Sequence, residues 1–336
     1  MSAFNPSISI LLPVYNDSSY LVRAVTSMRR QTCQEWELLL LDDGSTDDTP
    51  ELIESLAREE PRIRPVHLPH RGISATLNAG IERAAGRYIA RMDADDVSHA
   101  RRLALQKACL KERPDICAVG CRIRIFPRRE ASLGMLAYEG WLNSVVTPEQ
   151  IAREIFVESP LVHPSVLMRR EALEAVEGYR GEGPEDYDLW LLLHARGMRF
   201  AKVPKVLFCW MDRPNRVTRR SPRYSREAFR ECKARHLAEC LGEEREVVLA
   251  GNREAKHLAA ALEKAGLRVM GYVDVNPKRI GTVWAGKPVV AYEDLSVRHD
   301  GCMLLAAVGS WGVRDVIRRR LASLGYHEPE EFLCIA

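Results

Sequence analysis

The chain has 336 residues, 46% apolar and 28% charged, and 49 basic against 46 acidic side chains leave a net charge of +3. This length suits two domains with sizeable cores. The composition excludes wholesale disorder, and the near-neutral balance excludes a dedicated nucleic-acid binder.

The first hundred residues alternate strand and helix patterns. Ile8–Leu12 is a β-rich run expected to stop at Pro13, and Leu21, Val22, Val25 and Met28 recur at helical spacing. Trp36–Leu41 is a second apolar run ending in Asp42-Asp43-Gly44. A helix is predicted from about Thr49, with Asp48 or Thr49 as cap and Pro50 in the first turn. Ile63–Leu68 reads as a third strand, Ser74–Ala85 as a helix, and Tyr88–Met92 as a fourth strand ending at Asp93. This rhythm predicts an α/β fold with a mostly parallel sheet and helices on both faces. Ligands of such sheets bind beyond the carboxyl ends of the strands, and three of the four strands run directly into polar groups there: Tyr15-Asn16, Asp42-Asp43 and Asp93-Ala94-Asp95-Asp96.

From Asp212 to about Leu241 the character changes. Nine Arg or Lys stand between Arg213 and Arg235 against only Glu227 and Glu231. Residues 216–244 read as a basic, partly helical connector between a domain at 1–215 and a smaller α/β domain at 245–336. In the latter, strands are expected at Val247–Ala250, Val269–Asp274 and Met303–Val308, helices at about Glu254–Ala265 and Val313–Leu324, and a terminal strand around Cys334. No apolar run approaches the ~20 residues of a membrane-spanning helix, and Met1–Ser7 lacks a basic leader. The nine scattered cysteines, of which only Cys117 and Cys121 are close, read as reduced thiols of a cytoplasmic protein.

Carboxylates crowded at a strand end repel one another, and Mg²⁺ or Mn²⁺ relieves this while holding phosphate oxygens. Asp93, Asp95 and Asp96 fit that role, although the same residues could simply cap the helix expected near Ala100. Asp42-Asp43-Gly44-Ser45 is equally compatible with an ordinary turn, and Pro13-Val14-Tyr15-Asn16 with a strand stop. Glu185, Asp186 and Asp188 could decorate a helix start, where the macrodipole favours anions.

Taken in order, these segments resemble the nucleotide-sugar-binding half of glycosyltransferase family 2, which has the GT-A fold. The resemblance continues through His70-Arg71-Gly72, Asn78-Ala79-Gly80, Gly86-Arg87-Tyr88-Ile89, His163-Pro164-Ser165, Gly178-Tyr179 and Pro184-Glu185-Asp186-Tyr187-Asp188-Leu189-Trp190, so it covers about residues 7–215. It implies an inverting transferase moving a sugar from a nucleotide donor, most simply a UDP-sugar, to a glycan or lipid-linked acceptor, with Mn²⁺ or Mg²⁺ as cofactor, in the synthesis of a bacterial surface glycan. Position by position, it implies that Pro13, Val14 and the Tyr15 ring hold the base, that Asp42 accepts the pyrimidine N3–H, and that Arg71 lies along the nucleotide. It places Asp93 at ribose or in the metal shell, makes Asp95 the direct metal ligand, and gives Asp96 a donor-sugar hydroxyl. Asp186 becomes the general base, with Glu185 beside it and His163 shaping the acceptor side.

The chain departs from the family's processive synthases in lacking a Gln-x-x-Arg-Trp motif. After Trp210 the family often shows a His-containing loop, and this chain has Met211-Asp212-Arg213. Arg213, Arg216 or Arg219 could neutralise the diphosphate instead. Equally, the basic 213–235 stretch could be a solvated face or lie on acidic lipid head groups.

In the second domain Gly251-Asn252-Arg253-Glu254-Ala255 occupies the place of a dinucleotide fingerprint, but only Gly251 of its glycines survives. Asp274 stands near the expected ribose-binding acid, and Gly309-Ser310-Trp311-Gly312 makes a further turn. A Rossmann-like domain serving contacts, regulation or homodimerisation is expected. An NAD-dependent oxidoreductase and a non-catalytic sugar-nucleotide sensor are the competing readings.

Overall fold

A computed structural model describes residues 5–213, 216–251, 253–295, 301–309 and 312–336. Asn252, Ser310 and Trp311, on which the sequence analysis drew, lie outside them. The chain divides into two compact units, one of residues 1–151, 160–189 and 196–220, the other of 152–159, 190–195 and 221–336. The expected connector is therefore not a separate piece: its first helix falls in one unit and its long helix in the other.

In chain order the elements are β1 (Ile8–Val14), α1 (Ser18–Arg29), β2 (Trp36–Asp42), α2 (Thr49–Glu59), β3 (Ile63–His67), α3 (Ile73–Arg83), β4 (Tyr88–Arg91), β5 (Val97–Ser98), α4 (Arg102–Glu112), β6 (Ile116–Phe126), α5 (Leu133–Ser144), α6 (Pro148–Glu154), β7 (Leu167–Arg169), α7 (Arg170–Glu174), α8 (Glu185–Ala195), β8 (Arg199–Met211), α9 (Val217–Arg220), α10 (Arg226–Leu241), β9 (Glu246–Gly251), α11 (Arg253–Lys264), β10 (Arg268–Val273), β11 (Val283–Trp284), β12 (Lys287–Val290), β13 (Met303–Ala307), α12 (Val313–Ser323) and β14 (Phe332–Cys334).

The first unit holds an eight-stranded sheet in the order β3-β2-β1-β4-β7-β6-β8-β5. The run β3-β2-β1-β4 is parallel, as the alternation predicts. Its central strands β1 and β2 are buried along their whole length, which is why they read as unbroken apolar runs. Beyond β4 the sheet is mixed, because β7 pairs antiparallel with both β4 and β6, and β5 antiparallel with β8.

Pro13 does not end β1; it pairs with Leu41, and the strand runs on to Val14. The proline is tolerated because β4 pairs with β1 only as far as Leu11. The main-chain groups of Leu11 face β4, as its carbonyl accepts from Met92 N–H, and alternation turns the nitrogen of Pro13 to the same side, past the last pairing. No ladder donor is lost there. The divergence of β1 and β4 opens the crevice that a parallel sheet offers to ligands.

Two glycines make the helices fit. A Cβ on Gly80 would stand 2.6 Å from Leu41 Cδ1, so α3 sits directly on the sheet. A Cβ on Gly86 would stand 2.5 Å from Ser9 N, and Gly86 N–H donates to Ser9 Oγ at 2.8 Å. Ser9 Oγ in turn donates to buried Glu37 at 2.6 Å, which also accepts from Ala85 N–H and from Arg64. Burial pushes the Glu37 carboxyl up, but these donors outweigh it and hold the group below its ordinary value.

The second unit has a six-stranded sheet in the order β11-β12-β10-β9-β13-β14, parallel except at β11. Numbering its five parallel strands by sequence gives 3-2-1-4-5, the start of a dinucleotide-binding order. Its core includes Val248, Ala250, Val273, Val290, Leu304, Ala306, Leu321 and Phe332. Gly251, at φ 148°, passes so close to β13 that a Cβ would stand 2.5 Å from Ala307 O. Asp274 is already engaged: it accepts from Asn276 N–H at 2.9 Å and pairs with Arg279 at 3.0 Å. Among the described residues, no helix is long and apolar enough to cross a membrane.

Candidate active site

The candidate site is built at the carboxyl ends of β1, β2 and β4. Backbone turns come first. Asp42 ends β2 buried, its Oδ1 accepting from Ser45 N–H at 2.9 Å and its Oδ2 facing His67 Nδ1 at 3.0 Å. Burial pushes the Asp42 carboxyl up, but the bonds from Ser45 and His67 outweigh it and leave it below the ordinary range. Bonding to Asp42, then to Glu54, raises the His67 pKa. Asp42 is thus an anchored carboxylate with both oxygens engaged, and a base N3–H would have to share one of them, using a spare lone pair.

Asp43, to which the sequence reading gave no role, organises the next turn. Its carboxylate accepts from Arg71 N–H at 2.9 Å and from Gly72 N–H at 3.0 Å, immediately before α3. Gly72 adopts φ 84°, which glycine reaches without a steric cost. His70 Nδ1 lies 2.9 Å from Asp43 Oδ2, and the His70 ring stacks on Tyr15 at 4.1 Å between centroids. Tyr15 remains 45% exposed, so its ring borders the crevice. Asn16, at φ 48°, donates through its N–H to Ser45 Oγ at 2.9 Å and accepts from Thr46 N–H at 2.8 Å. The first two expected nucleotide segments are therefore one hydrogen-bonded unit, and Arg71 is exposed beside it.

The acidic loop after β4 is the second part. Asp93, Asp95 and Asp96 each place a carboxylate oxygen within 4.8 Å of the others. Burial, then the charge of Asp93, pushes the Asp95 carboxyl up to about 6, and the same causes raise Asp96 well above its ordinary value. Arg91 donates to Asp93 at 2.7 Å. Hard oxygen donors at this spacing suit Mg²⁺ or Mn²⁺, and the buried Asp96 Oδ2 has no hydrogen-bond partner. The residues fit a divalent cation, with Asp93 and Asp95 the partly open members.

Asp96 is fully buried, and its Oδ1 accepts from Met211 N–H at 2.7 Å, tying the loop to the end of β8.

The third part brings distant motifs onto the first two. Asn78 of α3 accepts from Tyr179 N–H at 2.8 Å and donates to Tyr179 O at 2.9 Å. Tyr179 OH lies 2.7 Å from His163 Nε2. His163 is buried, and burial followed by the charge of Arg91 holds its pKa well below the ordinary value, so it stands neutral behind the site. Burial raises the Tyr179 phenol, Arg91 opposes this, and the charges of Glu185, Asp186 and Asp93 add to it. The charges of all three carboxylates thus act on one phenol. Asp186 lies in the first turn of α8, half-buried, and accepts from Tyr187 N–H at 2.8 Å; Glu185 is buried beside it.

Two arginines hold this arrangement, of which Arg102 had no role in the sequence analysis. Arg102 is fully buried and donates to Arg91 O at 3.2 Å and to Pro164 O at 2.6 Å, with burial lowering its pKa to about 10. Arg213, one of three candidates for the diphosphate, makes bidentate bonds to Asp17 at 3.2 and 2.5 Å and places its Nε 2.7 Å from Asp95 Oδ2. Arg216 lies over the Trp210 ring at 4.1 Å, and Arg219 pairs with Asp212 at 2.6 Å. The start of the basic stretch is thus folded against the site instead of forming a uniform solvated face.

Residues 9–177, just over half of the chain, match the model of glycosyl transferase family 2. A relative in Bacillus subtilis (strain 168), EpsE, named as a glycosyltransferase, is 30% identical over 226 residues, which is 66% of this chain and 78% of that protein. Other relatives are much longer, and the chain spans about a fifth of their length. Among solved structures, TarS 1–349 of S. aureus in complex with UDP-GlcNAc aligns with a TM-score of 0.58 at 19% identity, over 77% of this chain and 71% of that one. The mannosyltransferase PcManGT of Pyrobaculum calidifontis, in complex with GDP-Man and Mn²⁺, aligns with a TM-score of 0.52 at 18% identity, over 98% of this chain and 83% of that one. With its ordered motifs gathered at the strand ends of a GT-A-like sheet, the chain belongs to glycosyl transferase family 2 and is a glycosyltransferase.

Proposed function

We propose that the protein is an inverting, divalent-metal-dependent transferase that moves a sugar from a UDP-linked donor to an acceptor hydroxyl of a glycan or lipid-linked sugar, in the making of a bacterial surface glycan. The observation that carries this reading is the gathering of Asp93, Asp95 and Asp96 within 4.8 Å of one another just beyond the carboxyl end of β4. The UDP-GlcNAc complex of TarS and the Mn²⁺ complex of PcManGT support the donor and cofactor classes.

In this reading the exposed Tyr15 face stacks on the base, Asp42 meets its edge, and the Pro13–Val14 backbone lines the floor. Arg71 lies along the nucleotide, and Asp93 faces the ribose or the metal shell. Asp95 and Asp93 would hold the cation, which when bound neutralises charge growing on the diphosphate leaving group. Asp186 accepts the proton of the acceptor hydroxyl, whose own pKa is far above 7. The new bond forms between that oxygen and the anomeric carbon as the bond to the β-phosphate oxygen breaks, its electron pair leaving with the nucleotide. One displacement inverts the centre. Glu185, buried next to the base, fixes the helix start that aims it, and neutral His163 supports the same wall through Tyr179.

Calorimetric titration with UDP, with and without Mn²⁺, and with NAD⁺ as a competing ligand, tests the reading. UDP binding that depends on Mn²⁺, with no response to NAD⁺, supports it. UDP silence with NAD⁺ binding overturns it.

A further inference from the structure

Arg213 bridges two carboxylates in unequal ways. Toward Asp17 it makes two directed hydrogen bonds, and its guanidinium lies over the Tyr20 ring at 4.9 Å. Toward Asp95 it makes a single close contact, its Nε standing 2.7 Å from Oδ2. The Asp95 main chain is held separately, its carbonyl accepting from Arg23 at 2.9 Å. The single contact of the bridge therefore falls on a member of the acidic cluster, and the double one on a residue outside it.

One carboxylate oxygen cannot serve a guanidinium at 2.7 Å and a divalent cation at about 2.1 Å without bringing two positive centres close together. We propose that Arg213 and the divalent cation compete for Asp95, and that Arg213, held by Asp17 through its terminal nitrogens, offers its freed Nε–H to the donor diphosphate. The inference rests on the metal-dependent reading above. It assigns Arg213 a positioning role with opposite effects on two ligands: it opposes the cation by itself and favours the nucleotide once the cation is present. Arg216, stacked on Trp210 and pinned near Asp212, lacks a bond to the cluster and does not share this role.

The test measures Mn²⁺ affinity without nucleotide, by electron paramagnetic resonance of the free ion, and UDP affinity at saturating Mn²⁺, on the full chain and on Arg213→Gln and Arg213→Lys. Arg213→Gln is expected to bind Mn²⁺ about tenfold tighter and UDP about tenfold weaker, the size of one modest charge interaction. Arg213→Lys, which keeps the charge, is expected to stay nearer the wild type in both. Unchanged or weaker Mn²⁺ binding in Arg213→Gln overturns the competition. Should that variant fail to fold, Arg213→Lys decides: a Mn²⁺ gain of tenfold or more despite the retained charge overturns it, and near-wild-type values support it. Wild-type UDP binding that ignores Mn²⁺ overturns the metal-dependent reading and this inference with it, whereas metal-dependent UDP binding with an indifferent Arg213→Gln overturns this inference alone.

Discussion

Tyr179 OH stands 2.7 Å from His163 Nε2 while the Tyr179 main chain is clasped on both sides by the Asn78 side chain. Three segments distant in sequence are thereby locked at one point behind the acidic loop. Tyr179→Phe removes one hydrogen bond from a buried pair and is expected to cost about 1 kcal/mol of stability. Urea denaturation measures this, and an unchanged midpoint contradicts the structural role assigned to the pair.

Gly178 sits at φ 78° with its absent Cβ 2.5 Å from Asn78 Oδ1. Gly178→Ala adds backbone strain of about 1–2 kcal/mol and forces Asn78 away from the Tyr179 main chain. A total loss of about 2–4 kcal/mol is expected. Donor affinity and stability should fall together, since α3 also carries the Gly72 turn.

Asp186→Asn retains shape but cannot take a proton. Transfer is expected to slow by about 10²–10⁴-fold, with UDP affinity nearly unchanged. Steady-state kinetics beside calorimetry checks this, and substantial turnover in the variant contradicts the assignment of the base.

Chelation of divalent ions, or Asp95→Asn, which removes a cation ligand, is expected to weaken UDP binding by about tenfold or more, because the diphosphate then lacks the cation that neutralises it beside the remaining carboxylates. Titration before and after dialysis against a chelator reads this directly. Equal affinities contradict the ligand role of Asp95.

Lys202 is buried on β8 and donates to Leu142 O at 2.6 Å, and burial lowers its pKa to about 7. The unfolded chain, with an ordinary lysine, binds the proton up to about pH 10.4. The folded state binds fewer protons between those values, so stability is expected to rise with pH through this window, by at most about 1.4 kcal/mol per unit. Thermal melts at pH 7, 8 and 9 should show this slope in the wild type and a shallower one in Lys202→Met. Burial likewise lowers Lys233 to about 8, so part of the slope belongs to the second unit.

Strands β1, β2 and β4 were legible because each is a short, mostly apolar run stopped by polar turn residues, and full burial of β1 and β2 leaves that pattern intact. Strands β6 and β8 were not, because Arg122, Arg124, Lys202 and Pro204 break their apolar pattern and their pairing is long-range. The three-residue β7 exists only through its neighbours on both sides. At the site, motif order identified the acidic loop and the Glu185–Asp186 pair. It could not show that Met211, arriving 115 residues later, caps Asp96 from below, or that Asp17 would claim Arg213. Asp43 was hidden for a different reason: a carboxylate that builds a turn and one that binds a ligand look alike in a string of turn residues.

The fully buried Arg102 spans from the main chain of Arg91, at the root of the acidic loop, to that of Pro164, beside His163. One side chain from α4 therefore serves as a tie-rod between the acidic loop and the His163–Ser165 turn. Remodelling that turn would displace the acidic loop as well, so in this scaffold the two segments change together and an engineer would have to retune both at once.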